Sequence, residues 1–133
     1  MGNIIEKLMI GDFIYVWNPY VVGRVEGIDM TTNKIKVHVC DKLDEHCEVD
    51  ANDCSLIPIT EDVIEENMTL VDENKDIKKY RDNSAVLWIS KDGENTVYTE
   101  AYSIEHVNEL QHFLNQYNRN CKYKHEFKYT IKL

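Results

Sequence analysis

From Lys34 to Cys40 apolar and polar side chains alternate without a break, with Ile35, Val37 and Val39 on one side and Lys36, His38 and Cys40 on the other. A period of two belongs to a β-strand. Only one register buries the whole apolar set, so this segment demands a sheet with one face against a core. No other stretch narrows the choice of fold as far.

Its neighbours are short strands separated by turn chemistry. Gly11-Asp12 opens Phe13-Ile14-Tyr15-Val16-Trp17, which Asn18-Pro19 stops. A second strand runs from Val21 to Ile28, with Gly23 and Gly27 permitting the bulge or bend that a small barrel needs. Asp29 to Asn33 is a turn. Beyond the polar stretch Asp41 to Glu45, Cys47 and Val49 continue an inward face while His46, Glu48 and Asp50 point outward, and Leu56-Ile57-Pro58-Ile59 closes the segment. Several bent strands packed into so short a stretch predict a small antiparallel β-barrel of the Src-homology-3 (SH3) type over residues 1–59.

Residues 60–133 are expected to form an α+β unit packed closely on that barrel. Thr60 supplies an N-cap, and Glu61 and Asp62 complement the helix dipole, which predicts a short helix to about Asn67. Ala85 to Ile89 and Thr96 to Thr99 flank Lys91-Asp92-Gly93-Glu94, a strong hairpin signal. Ser103 is the expected cap of a helix with Val107, Leu110, Leu114 and Tyr117 as its buried stripe. Tyr123, His125, Phe127, Tyr129 and Ile131 alternate with lysines and Glu126 and predict a half-exposed final strand. The fold class is therefore α+β.

At Ile57-Pro58-Ile59-Thr60-Glu61-Asp62, and again at Val107-Asn108-Glu109-Leu110-Gln111, the chain resembles small uncharacterised proteins of Bacteroides-type bacteria and their phages. Those proteins share a Gly-Asp strand opening, a proline-isoleucine-proline-leucine-threonine-glutamate step, a hairpin and a Val-His-x-Leu-Gln helix. The order matches over most of the chain, with Ile59 and Asn108 departing from the family's usual residues. The resemblance implies the plan of barrel, short helix, hairpin and helix, and a phage or mobile-element setting. It implies no activity, and no catalytic residue is carried over from it.

Charge narrows the partners. The chain of 133 residues has a net charge of −9, and residues 1–76 alone carry 6 basic against 17 acidic side chains, a net of −11, while residues 77–133 have a net of +2. This balance argues against a phosphate-binding surface spread over the whole molecule. No apolar run approaches the roughly 20 residues needed to cross a bilayer, and the start of the chain lacks a signal peptide's apolar core, so a cytoplasmic protein without a membrane partner is expected. In a reducing compartment Cys40, Cys47, Cys54 and Cys121 are expected as free thiols.

The candidates for chemistry are few. His38, Cys40, His46, Cys47 and Cys54 are the residue types that hold zinc, but the cysteines stand seven apart, and alternation sends Cys47 inward and His38, Cys40 and His46 outward. No metal site and no cofactor are expected. A Cys–His nucleophile needs a depressed thiol pKa, which Asp41, Asp44, Glu45 and Glu48 oppose. Phosphate-cradling loops and nucleophile elbows are missing, so no catalytic residue is assigned.

The opening strand is the best binding candidate. Phe13, Tyr15 and Trp17 share one face and Ile14 and Val16 the other, so both faces are apolar; one fills the barrel, and the other is covered by the second half of the chain or by a partner. Phe13, Tyr15, Trp17 and Tyr20 are the expected partner-binding residues of a non-catalytic protein-binding module. Nucleic-acid binding, with the basic tail touching phosphate, or nucleic-acid mimicry by the acidic half is the alternative, and a small hydrolase or nuclease the third.

Overall fold

The computed structural model describes residues 4–17, 21–39, 45–91, 96–118 and 127–129. They fall into two compact units, one ending at Ile57 and the other beginning at Pro58. Each contains an antiparallel five-stranded sheet and the second also contains two helices, so the protein is α+β.

In the first unit the strands are β1 (Phe13–Val16), β2 (Val21–Asp29), β3 (Lys34–Val39), β4 (His46–Asp50) and β5 (Cys54–Leu56), in the order β4-β3-β2-β1-β5. The alternation of β3 is realised: Ile35, Val37 and Val39 are buried, and Lys36 is exposed. With Ile14, Val16, Val25, Val49 and Ala51 they form the core, joined by Ile5 and Leu8 from the segment ahead of β1. At Gly23 an added Cβ would sit 3.4 Å from both Val16 and Val37 on the neighbouring strands, at the near limit of ordinary contact. A register shift between Val25 and Gly27 makes a bulge in β2 at Glu26.

Side-chain oxygens shape the turns. The Asp29 carboxylate accepts the amides of Thr31 and Thr32 at 3.0 and 3.3 Å, and Asn33 takes the left-handed conformation that closes the β2–β3 turn. Asp50 accepts the Asn52 amide at 2.9 Å and so caps the 3-10 turn Ala51–Asp53 that leads into β5. The pairings leave β4 and β5 as the two edges, and among the described residues no sheet closes into a barrel.

The second unit opens with α1 (Glu61–Asn67), where Thr60 Oγ1 accepts the Val63 amide at 3.4 Å. Strands β6 (Thr69–Glu73), β7 (Ile77–Asp82), β8 (Ala85–Ser90), β9 (Val97–Tyr98) and β10 (Ser103–Ile104) follow in the order β10-β9-β8-β7-β6, and α2 (Val107–Asn118) packs on β8. The expected pairing of Ala85–Ile89 with the Thr96–Thr99 region is present as β8 with β9, Ile89 opposite Val97; its Asp92-Gly93 turn lies outside the described residues.

Two expectations need correction. Ser103 does not cap α2 but pairs with Tyr98 in β10, and the helix starts at Val107 with the His106 carbonyl accepting the Glu109 and Leu110 amides. The buried stripe is Val107, Leu110, Phe113 and Leu114, whereas Tyr117 is 44% exposed and rests its ring on Phe113 at 4.9 Å between centroids. Spacing alone does not encode where the surface beneath a helix ends.

The expected final strand falls almost wholly outside the described residues; of it, residues 127–129 are described and belong to no strand. The Asn67 side chain holds them as a strand would: its Oδ1 accepts the Lys128 amide at 2.7 Å, and its Nδ2 donates to the Lys128 carbonyl at 2.8 Å. Nδ2 also donates to the Val63 carbonyl at 2.9 Å, which explains why this buried amide is tolerated.

Candidate functional site

The aromatic strand divides by position. Ile14 and Val16 point into the core with no exposed surface. On the opposite face Phe13 is only 8% exposed, and the Arg24 guanidinium of β2 lies 5.1 Å from its ring centroid. That guanidinium also donates from Nε to the Gly11 carbonyl at 3.2 Å, so the pair forms a lid on the start of the strand. Tyr15 is half-buried, and Tyr20 lies outside the described residues.

Trp17 is different. It stands just past β1, 40% exposed, with a backbone φ of 61° and its amide donating to the Asp53 carbonyl at 2.8 Å. The other described residues at positive φ are Gly11, Asn33 and Asn83, the types that tolerate the left-handed region best. A bulky residue there costs about 1–3 kcal/mol. Asp53 anchors this conformation from the turn that precedes β5, the strand paired with β1.

Both described thiols have raised pKa values. Cys47 and Cys54 are free and pack against the core. Burial, followed by the charges of Asp53 and Asp50, pushes the Cys54 thiol up to about 12, and its Sγ donates to the Asp50 carbonyl at 3.6 Å. Burial and then Glu45 also raise Cys47. Cys40 and Cys121 lie outside the described residues.

The zinc-type residues separate accordingly. His38 on β3 and His46 on β4 are directly opposite in register, with their rings stacked at 4.5 Å and 8° between planes. Neither described cysteine joins them. Their neighbour is Glu26, from the bulge of β2, whose Oε1 lies 2.5 Å from His46 Nδ1. The sequence reading missed Glu26 because it is far from both histidines along the chain; the Gly23 and Gly27 flanks, which mark a bulge, are the one signal that it is re-aimed.

In the second unit Tyr80 is buried, and its hydroxyl donates to Glu61 and Glu65 of α1 at 3.1 and 3.2 Å, while Lys78 Nζ reaches Glu61 at 2.6 Å. Desolvation, reinforced by these carboxylates, raises the phenol pKa. The network ties α1 to β7. Among the described residues no helix is long and apolar enough to cross a membrane. The chain matches no protein-family model, no curated protein and no solved structure.

Proposed function

We propose that the protein is a non-catalytic module that binds another protein, in a bacterial or phage cytoplasm, through a surface centred on Trp17. The observation that carries this is a large indole held half out in solvent on a left-handed backbone. Elsewhere among the described residues such positions belong to Gly or Asn, so the tryptophan is kept in spite of its backbone cost. Trp, with Tyr and Arg, is enriched among the residues that anchor protein interfaces. Tyr15, half-buried on the same strand, extends the surface, and Phe13 supports it from beneath Arg24.

The first unit serves as an SH3-like barrel in this reading. Two features support it: the first strand pairs with the last, which curls a meander back on itself, and a bulge bends the long second strand. The raised thiols of Cys47 and Cys54 favour binding over cysteine catalysis.

Trp17→Gly tests the proposal, because glycine accepts the positive φ and removes the indole. The variant is expected to stay within about 1 kcal/mol of the parent in denaturant melts while losing the partner captured by the parent from native lysate. A loss of about 3–5 kcal/mol would instead make Trp17 a core residue and end the proposal.

A further inference from the structure

We infer that Glu26, His38 and His46 form a binding site for a divalent cation of the zinc class. Their three ligand atoms all lie within 4.8 Å of one another. They come from adjacent strands whose core faces are fixed by burial: His38 and His46 are opposed across β3 and β4, and the β2 bulge brings Glu26 over β3 to His46. The backbone under the site is thereby set before any ion binds.

Zinc ligands stand about 2.0–2.1 Å from the ion, so neighbouring ligands in a tetrahedral site are about 3.3 Å apart. Reaching that from 4.8 Å takes a small side-chain movement, for which His46 and Glu26 have room, their side chains being 67% and 41% exposed. A nitrogen lone pair lies in its ring plane, so the stacked rings must turn out of parallel for one ion to meet both, a rotation that the exposed His46 side chain has room to make.

Two imidazoles and one carboxylate suit Zn²⁺ and its neighbours rather than Mg²⁺ or Ca²⁺, which require all-oxygen shells. Three protein ligands leave the fourth position, on the solvent side, for water or for a donor from a partner. Of the nearby cations, Arg24, which is opposite His38 in register, is engaged with Phe13 and Gly11. Lys36 lies with its stem along Gly27 and in register with Glu48 of β4. Neither the aromatic strand nor Trp17 enters the site, so it stands or falls independently of the proposed interface.

The test is titration of the full, reduced chain with Zn²⁺ by calorimetry, alongside Glu26→Gln, His46→Ala, His46→Gln and His38→Ala. One ion per chain is expected, with affinity weakened at least tenfold in each variant, metal-free melting temperature little changed in the His46 and Glu26 variants, and a Zn²⁺-dependent rise in melting temperature confined to the parent. Co²⁺ in place of Zn²⁺ is expected to show no thiolate charge-transfer absorption. Absence of binding, affinity unchanged in the His46 and Glu26 variants, or a thiolate band would each overturn the assignment, the last placing the ion on cysteines instead.

Discussion

At the residue scale, burial separates side chains that the sequence treats alike. Leu110 and Tyr117 sit on the same helical stripe, yet Leu110 is fully buried and Tyr117 is 44% exposed. Leu110→Ala is therefore expected to cost about 2–5 kcal/mol in denaturant melts. Tyr117→Ala, which removes a tilted ring contact with Phe113 from an exposed position, is expected to stay below about 1 kcal/mol; equal costs would show that the last turn of α2 is covered. The same divergence runs along β1. Alternation is enough to say that Phe13, Tyr15 and Trp17 share a face, but Phe13 is covered by Arg24 while Trp17 is displaced from the strand by a backbone angle that a tryptophan rarely takes.

At the element scale, what was legible depended on whether a segment buries one face. The strand at Lys34–Val39 and the helix at Glu61–Asn67 carry complete signals, a period of two in one and a cap with acidic first-turn residues in the other. β6 carries none: all five residues are exposed, and its pairing with β7 is defined by the ladder alone, helped by Asn74 accepting the Asp76 and Ile77 amides. β7 is equally quiet, with only Tyr80 buried, and its tight turn to β8 rests on Asn83 at a φ of 53°. The turns of the first sheet also predict a pH response. Backbone hydrogen bonds, from Thr32 to Asp29 and from Asn52 to Asp50, are the first cause of the lowered pKa of both carboxyls. A carboxyl lowered in the folded state stabilises above its unfolded pKa of about 3.9, and that contribution is lost as pH falls through the folded value. Stability is thus expected to decline below about pH 4 in the parent, and less steeply in Asp29→Asn/Asp50→Asn, measured by melts at stepped pH. An unchanged slope would show that these turns do not contribute to acid sensitivity.

At the scale of the whole molecule, charge and topology set the partners. With a net charge of −9, of which −11 lies in residues 1–76, the protein is expected not to be retained by duplex DNA at physiological salt. Capture of the proposed protein partner is expected to change only modestly as salt rises, because an anchored aromatic is not screened; steep loss across a salt series would favour phosphate contacts instead. The sequence by itself determined the α+β class, the buried face of β3, the short capped helix and the apolar pairing of β8 with β9, since each follows from a local period or a turn residue that physics reads without its surroundings. Only the tertiary structure decided that His38 and His46 meet Glu26 and leave the described cysteines aside, that Trp17 is strained and exposed, and that Asn67 hydrogen-bonds both backbone groups of Lys128. These are meetings between residues distant along the chain, brought together by register, a bulge and one buried amide, and no local pattern encodes them.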